Sequence, residues 1–373
     1  MGEISERILR KNSDLQSLLP LTISAQDGLV DQTIYFNKQV ASKQLKNYLL
    51  LYNGDFAYNK SYSVGYPYGT IKRLDKYKQG VLSTLYIAFK PTNINSDFLQ
   101  HYYDTDKWYR EIYRNAAEGA RNHGLLNISA NDFFNSKLIT PSDNDEQLKI
   151  AKIINVFNRL ITLQQRKLEI LIKLKQSFLT KSMVNNLDKN PELYFNSASI
   201  KCLKQKLSNL TIKEFKGNTK LNDTKPGKTE YLDAERLNGN APLFIDKPIN
   251  TLKSDILILW DGSKAGSVYY GFEGSLGSTL KAIRLNPKLV NSFFVYQQLK
   301  SKQDVIFNKY RTPNIPHVIK NFTKVYSIYF PSMAVQNKIA RFLGNLDTLI
   351  EIQQKSIKDH KVIKKYLLQK LFI

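Results

Sequence analysis

One long segment of the sequence occurs twice, and this repeat limits what the chain can fold into. The first copy runs from Gln147 to Lys181 and the second from Gln336 to Lys370, with a constant offset of 189 residues (340 minus 151) and no gap. Identical pairs include Ile150 and Ile339, Ala151 and Ala340, Leu160 and Leu349, and Gln164 and Gln353. A chain built as two copies of a globular region and a long segment has two working surfaces. This organisation favours a two-site binding protein over an enzyme with one pocket.

Each copy is predicted to form a long helix, because its apolar side chains recur in steps of three, four or seven. The predicted pairing residues are Ile150, Phe157, Gln164 and Leu171 in the first copy and Ile339, Leu346 and Gln353 in the second. At ~1.5 Å per residue each helix is a rod of roughly 50 Å. A rod cannot bury its stripe alone, so we expect the two copies to pair with each other. Two interpretations of Gln164 and Gln353 stay open: they meet at the crossing and set the register, or both are solvated.

Pro-Ser pairs precede both long segments, and they divide the chain into four predicted regions. The regions are a first globular domain at 1–140, a central helix at 141–185, a second globular domain at 186–330 and a C-terminal helix at 331–373. Aromatic and β-branched residues predict strands at Thr33–Phe36, Tyr48–Asn59, Ser83–Phe89, Asp255–Trp260 and Thr279–Leu285, and helical spacing appears over Phe98–Asn115. The predicted fold class is α+β, with two α/β domains, two long helices and a pseudo-two-fold internal repeat.

Charge indicates the class of partner. Lys and Arg number 55 against 32 Asp and Glu, which gives a formal net charge of +23. Nucleic acid is therefore the expected partner, and an anionic membrane surface is the less favoured alternative. The single cysteine, Cys202, excludes a disulfide framework and a cysteine-based metal site. No apolar run approaches the ~20 residues of a membrane span, and no signal peptide is recognisable, so we expect a cytoplasmic protein.

Two stretches of the first globular region supply candidates, and basic and aromatic residues alternate in the first of them, Asn59–Arg73. The candidates for pairing with phosphates or stacking on bases are Lys60, Tyr62, Tyr66, Tyr68, Lys72 and Arg73. A structural loop with solvated lysines is the alternative. Arg121, Asn122 and His123 form a second group, which suits base readout because Arg pairs with guanine and Asn with adenine. A catalytic or metal-binding His123 is disfavoured, since no second histidine is near it in the sequence.

The second globular region contributes its own candidates. Ser263 and Lys264 lie in a loop after a predicted strand, and Tyr310 and Arg311 occupy the place that Arg121 and Asn122 have in the first half. The Lys264 loop lacks the spacing of a phosphate-binding Walker motif. The sequence also shows no S-adenosylmethionine-binding or methyl-transfer motif. We therefore expect a non-catalytic chain that binds DNA and holds no metal or cofactor.

Taken together, these features resemble the specificity (S) subunits of type I restriction–modification systems. The resemblance covers essentially the full length. Its main motifs are the Pro-Ser openings at Pro141 and Pro331, followed by Gln-x-x-Ile-Ala at Gln147 and Gln336. The segments TISAQDGLVDQ and NKSYSVGYPYG look like one variant of the family's target-recognition domain. Members of the family usually have a short strand with Trp and basic residues before the Gly-Glu-Ile segment, whereas here Met1 directly precedes Gly2.

The resemblance implies a division of labour. Each globular region would read one half of a bipartite target in double-stranded DNA. The long helices would pair as an antiparallel coiled coil, set the spacing and dock modification subunits, two of them expected. Those subunits would bring S-adenosylmethionine and the adenine-methylating site, and restriction subunits would join the full complex. Three rivals stay open: a free-standing DNA nuclease or methyltransferase, an RNA-binding or structural scaffold, and an inactive or recombination-donor copy of the same family.

Overall fold

The computed structural model describes residues 1–38, 45–116, 126–182, 202–312 and 316–372. The chain divides into two compact units. Unit 1 comprises Met1–Gln164 and Ser356–Ile373, and unit 2 comprises Gln165–Lys355. Each unit combines a mixed region of helices and strands with part of both long helices, which confirms the predicted fold class.

In unit 1 the strands precede most of the helices. The strands are β1 (Ser5–Arg7), β2 (Leu21–Ser24), β3 (Gly28–Asp31), β4 (Leu49–Tyr52), β5 (Phe56–Asn59), β6 (Thr70–Arg73), β7 (Gln79–Leu82) and β8 (Ile87–Pro91). The short helices are α1 (Gln32–Phe36), α2 (Ser96–Tyr102), α3 (Tyr109–Asn115) and α4 (Ala130–Asn135), with a 3₁₀ turn at Leu45–Asn47. The first long helix, α5, follows at Asn144–Ser182.

Unit 2 has the same mixture of elements. Its strands are β9 (Leu203–Lys206), β10 (Thr211–Lys216), β11 (Pro226–Leu232), β12 (Phe244–Ile245), β13 (Ile256–Leu259), β14 (Val268–Tyr269), β15 (Ser275–Leu276), β16 (Leu280–Leu285) and β17 (Ser327–Phe330). Its helices are α6 (Ala234–Leu237), α7 (Ser292–Ser301), α8 (Gln303–Lys309) and α9 (Phe322–Val325), with 3₁₀ turns at Leu207–Leu210 and Leu221–Asp223. The second long helix, α10, is Met333–Leu371.

The central sheets of the two units have equivalent strand orders. Unit 1 has the order β1-β8-β5-β6 and unit 2 has β10-β16-β13-β14, with neighbouring strands antiparallel in both. The central pair is also in a matching register, with Phe56 opposite Phe89 and Ile256 opposite Ile283. The globular halves are therefore two versions of one scaffold.

A buried carboxylate precedes the central strand of each sheet. Asp55 accepts a hydrogen bond from the Tyr52 amide (2.7 Å) and pairs with Arg10. Asp255 accepts one from the Leu252 amide (2.9 Å) and pairs with Arg284 (2.8 Å). The arginine partners come from different segments, but the two turns are alike. Each turn uses a carboxylate to accept from the amide three residues before it, which explains why Asp occupies both positions.

A glutamine clamp joins each globular region to its long helix, and it explains the Gln-x-x-Ile-Ala repeat. In unit 1 the Gln147 amide accepts from the Asn95 backbone N–H (2.9 Å) and donates to the Pro141 carbonyl (2.8 Å). In unit 2 the Gln336 amide accepts from the Asn291 N–H (2.9 Å) and donates to the Pro331 carbonyl (2.9 Å). Both glutamines are buried, so each satisfies two backbone groups away from water.

The asparagine of each clamp also starts a helix. The Asn95 side chain accepts from the Phe98 amide (3.0 Å) and caps α2, while the Asn291 side chain accepts from the Phe294 amide (2.9 Å) and caps α7. Phe98 and Phe294 are each 1% exposed. Phe98 shares a core with Ile150 and Ala151 of α5 and with Phe372, which follows α10. Phe294 shares a core with Ile339 and Ala340 of α10. The Ile-Ala part of the repeat is therefore core.

Within each unit, the two long helices run antiparallel. In unit 2 Lys175 pairs with Asp347, and the Phe178 and Phe342 rings lie 4.4 Å apart. In unit 1 the Phe157 and His360 rings lie 6.3 Å apart, while Phe372 reaches the core that contains Ile150. In both units, residues later in α5 contact residues earlier in α10. The two helices are therefore antiparallel, as expected.

Other contacts at the helix junctions differ between the units. In unit 1 Asn155 on α5 bonds His101 (2.8 Å) and Asp97 (3.1 Å) of α2. The equivalent position of α10 is Gly344, where Phe293 of α7 lies 3.7 Å from the place that a Cβ would occupy. Each unit thus has a shared clamp and a second junction of its own.

Some local predictions were wrong. Thr33–Phe36 is part of helix α1 and not a strand, because Asp31 caps it by accepting from the Thr33 and Ile34 amides. The segment Tyr48–Asn59 contains two strands separated by the Asp55 turn. Ser83–Tyr86 is a turn, and the strand begins at Ile87. Among the described helices, none is both long and apolar enough to cross a bilayer.

Candidate nucleic-acid interface

The first predicted DNA-binding stretch forms the hairpin loop between β5 and β6. Gly69 closes the loop with φ +80°, and a Cβ on it would lie 2.1 Å from the Asn59 carbonyl oxygen, so only glycine fits. A backbone bridge between Ser63 and Tyr66 tightens the tip. Val64 is 90% exposed there. The sequence therefore builds a loop that projects from the sheet.

The six candidates of this stretch divide into two groups. Tyr62 is exposed on the loop, and Tyr66 lines a neighbouring cleft. Lys60 donates to the Ile128 carbonyl (3.2 Å). The Tyr68 carbonyl accepts from the Tyr58 hydroxyl (2.7 Å), and the centre of the Tyr68 ring lies 5.1 Å from that of the Tyr109 ring. These two side chains hold the loop on the body of unit 1.

Lys72 and Arg73 also have partners inside unit 1. Lys72 pairs with Asp104 (2.8 Å). Arg73 contacts Asp75 (2.7 Å) and Asp97 (2.7 Å), and it also donates to Ser96 (2.9 Å). Arg73 therefore braces the start of α2 against the sheet, and binding of a phosphate by this guanidinium would compete with two carboxylates.

A cleft of about 800 Å³ lies beside this hairpin in unit 1. Its lining combines basic, acidic and aromatic side chains: Tyr66, Lys72, Asp104, Lys107, Trp108, Tyr109, Lys364 and Lys365. Burial acts to raise the pKa of Asp104, but the His101 ring, 3.9 Å away, and the charges of Lys72 and Lys364 outweigh it and lower that pKa. Burial also lowers the pKa of Lys364, against the attraction of Asp104. Such perturbed groups in a cleft are typical of binding sites.

Sequence reasoning missed Lys107, Lys364 and Lys365 as members of this surface. Lys364 and Lys365 belong to α10, almost three hundred positions after the hairpin, and only the fold brings them beside Tyr66. The adjacent pair of lysines was visible in the sequence, yet a pair of this kind is ordinary on a solvated helix face. Arg121, Asn122 and His123 lie outside the described residues, so their prediction stays a prediction.

In unit 2 the structure brings two predicted loops together. Gly262 donates its amide to the Pro316 carbonyl (3.0 Å), and Val318 donates to the Trp260 carbonyl (3.0 Å). Arg311 donates to the carbonyl of Ser263 (3.2 Å). Ser263 and Lys264 are exposed on this joint surface.

Tyr310 has a different position from its neighbour Arg311. Its ring packs 5.5 Å from Phe322 and 5.4 Å from Tyr326, at the edge of the unit 2 core.

The loop after β13 gains two further cations that sequence reasoning did not identify. Lys216 pairs with Asp261 (2.6 Å), and Lys281 lies 3.6 Å from the centre of the Trp260 ring.

The seven residues predicted for helix pairing and subunit docking are all buried or half-buried within their units. Ile150, Ile339, Leu346 and Gln353 are buried, and Phe157, Gln164 and Leu171 are half-buried. The exposed apolar side chains of the same helices are different residues. Two pairs of them occupy equivalent positions of the repeat: Leu163 (55%) with Ile352 (59%), and Leu174 (46%) with Ile363 (44%). Within the described ranges no cluster of three or more His, Cys, Asp or Glu could hold a metal.

Comparisons with known proteins agree with this architecture. Residues 204–359 match the family model for the type I restriction modification DNA specificity domain. The type I restriction enzyme MjaVIII specificity subunit of Methanocaldococcus jannaschii is 34% identical over 146 residues, which cover 38% of this chain and 34% of that protein. A putative type I specificity subunit of Mycoplasma genitalium is 26% identical over 259 residues, 66% of this chain and 64% of that protein. The matches thus span between about a third and two thirds of these curated relatives.

Solved structures show a similar fold. The crystal structure of the type I restriction–modification S subunit from M. genitalium has a TM-score of 0.64 at 17% identity, covering 100% of this chain and 94% of that one. A chain from a structure of the assembly and conformational transition of a type I restriction–modification system has a TM-score of 0.54 at 15% identity, covering 100% and 96%. Residues 204–359 therefore match the type I restriction modification DNA specificity domain, and the resemblance of the chain to type I specificity subunits is confirmed.

Proposed function

We propose that this chain is the DNA-recognition subunit of a type I restriction–modification complex. Each globular region reads one half of a bipartite target in double-stranded DNA. The long helices set the distance between the halves and dock two modification subunits, which supply S-adenosylmethionine and adenine methylation, and restriction subunits join the full complex. The chain itself has no catalytic role.

The observation that carries the proposal is the contrast between scaffold and surface. The strand order, the carboxylate turn and the glutamine clamp occur in both units, whereas the exposed loops differ. Unit 1 presents the hairpin with Tyr62 and Val64, and unit 2 presents the joined loops with Lys264 and Arg311. Two equal scaffolds with unlike surfaces suit an asymmetric target with two different halves.

Helix length supports the role as a spacer. Each long helix has 39 residues, which at ~1.5 Å per residue gives roughly 58 Å. Half-sites read from one face of B-DNA lie about one turn, ~34 Å, apart. A rod of this length is sufficient to separate two reading surfaces by that distance.

The exposed apolar pairs support the docking of two equal partners. Leu163 and Ile352 are equivalent in the repeat, as are Leu174 and Ile363, and all four are more than 40% exposed. Charged or polar side chains are expected at solvent-facing helix positions, so apolar residues kept at both copies indicate a covered surface. A duplicated patch fits two copies of one partner.

The decisive experiment is co-expression with the cognate modification subunit, followed by sequencing of the host DNA for methyladenine. We expect a motif of two short blocks separated by a fixed number of unread bases. Replacement of residues 191–330 with the corresponding region of another specificity subunit should change one block and leave the other. Methylation without any motif, or a replacement that alters both blocks, would contradict the assignment of one half-site to each globular region.

A further inference from the structure

A second cleft, of about 430 Å³, lies in unit 2 outside the loops already described. It is formed where the two-stranded sheet β9–β17 meets α8 and α9. Its polar lining consists of Lys204, Lys206, Lys302, Tyr310, Tyr326 and Tyr329, together with Ser327. Among the described residues that line it, none is Asp or Glu. This cleft therefore differs from the one in unit 1, where Asp104 offsets part of the positive charge.

Two of the three cleft lysines, Lys204 and Lys206, lie on the β9–β17 sheet. β9 and β17 pair in register, with Lys204 opposite Tyr329 and Lys206 opposite Ser327. The Lys204 ammonium lies 5.4 Å from the centre of the Tyr329 ring, and the Lys206 ammonium donates one hydrogen bond to the Val325 carbonyl (2.9 Å). An ammonium has three donors, so Lys206 keeps two for a ligand.

The aromatic wall is equally fixed. Tyr310 and Tyr326 pack at 5.4 Å, and Phe322 supports both rings from the core. Burial raises the pKa of Tyr326 far above its ordinary value, so its hydroxyl is neutral at any physiological pH. The cleft thus combines fixed cations with neutral hydroxyl-bearing rings, which is the chemistry that contacts phosphate oxygens.

We propose that this cleft binds the phosphodiester backbone of duplex DNA, beside the bases that unit 2 reads. The inference rests on the proposed function and adds a sequence-independent anchor to it. Tyr310 connects the two surfaces, because it lines the cleft and the next residue, Arg311, joins the exposed loop of Ser263. An anchor at this place orients the reading loops on the duplex without contributing to sequence choice.

The test measures DNA affinity of the full chain in complex with its modification subunit, at a series of KCl concentrations. The variant is Lys204→Gln with Lys302→Gln, and the matched charge-keeping variant is Lys204→Arg with Lys302→Arg. Each lost phosphate contact lowers the slope of log affinity against log salt by about 0.9. We expect the Gln variant to reduce the slope by roughly 1 to 2 for target and non-target duplexes alike, and the Arg variant to keep it. Lys288→Gln, at an exposed lysine outside the cleft, is the surface control.

The outcomes separate this inference from the proposed function. Wild-type complex that shows no preference for its methylated motif would contradict the proposed function itself. Specific binding by wild type, with an unchanged salt slope in the Gln variant, would overturn the phosphate anchor alone. Loss of association with the modification subunit at unchanged slope would also overturn it, since the cleft would then bind an acidic protein segment. Equal thermal unfolding of all variants shows that each is folded.

Discussion

The glutamine clamp gives a stability prediction that can be worked out from its two hydrogen bonds. Gln336 is 1% exposed, and its amide satisfies the Asn291 N–H and the Pro331 carbonyl. In Gln336→Leu both backbone groups lose their partner in a buried place, at about 1–3 kcal/mol each. The larger apolar surface of leucine offsets about 1 kcal/mol of this loss. We expect unit 2 to be destabilised by about 1–5 kcal/mol.

The assay is urea unfolding of the full chain, combined with hydrogen exchange at the Asn291 amide. In a thermal melt the same loss corresponds, for a unit of this size, to a fall of roughly 2–20 °C in Tm. Gln354→Leu is the matched control, because it makes the same substitution at an exposed position of the same helix. If Gln336→Leu unfolds at the same urea concentration as Gln354→Leu, the two hydrogen bonds do not hold the globular region to its helix. The equivalent variant Gln147→Leu should destabilise unit 1 by a similar amount.

The remaining predictions concern docking, spacing and pH. Leu163→Glu or Ile352→Glu alone should reduce the number of bound modification subunits from two to one, and both together to none, as native mass spectrometry can count; unchanged stoichiometry would refute the docking patch. Insertion of one heptad at equivalent positions of both long helices adds ~10 Å, so methyladenine sequencing should show a spacer longer by about three base pairs, and an unaltered spacer would contradict the ruler role. The lowered pKa of Asp104 means that its stabilising contribution is complete above its ordinary value of 3.8 and is lost as pH falls below it. The stability difference between wild type and Asp104→Asn should accordingly shrink below that pH, and a constant difference in urea titrations would exclude the charge as its cause.

The long helices could be predicted from the sequence because their periodicity and their repetition give two independent indications. The predicted span Gln147–Lys181 lies within α5, and Gln336–Lys370 lies within α10. The strand of Asp255–Trp260 was also predictable from its apolar run, since β13 is completely buried. In contrast, the strand prediction for Thr33–Phe36 is wrong, because the cap from Asp31 outweighs the strand preference of its β-branched and aromatic residues.

The candidate DNA surface was only partly predictable, for a physical reason. Residue type shows that Lys60 and Arg73 can pair with phosphates, but it does not show that a carbonyl or two carboxylates of the same unit already occupy them. Likewise, the cleft lysines of unit 2 come from segments about a hundred positions apart, Lys204 and Lys206 on β9 and Lys302 before α8, which only the fold brings together. Local sequence identifies the chemistry of a side chain, whereas the fold decides which partner it meets.

The unlike second junctions of the two units bear on how such chains can exchange parts during evolution. A globular region transferred between chains at the same position meets the side chain it evolved with, so that Asn155 still finds His101. A first region moved to the second position would find the same clamp, but its His101 would face Gly344 and lose the Asn155 side-chain partner. The space beside Gly344, which Phe293 of the native second region occupies, would also lose that side chain. Recombination within one position is therefore cheaper than transposition between positions. The two halves share one framework, but each globular region is matched to the long helix of its own position.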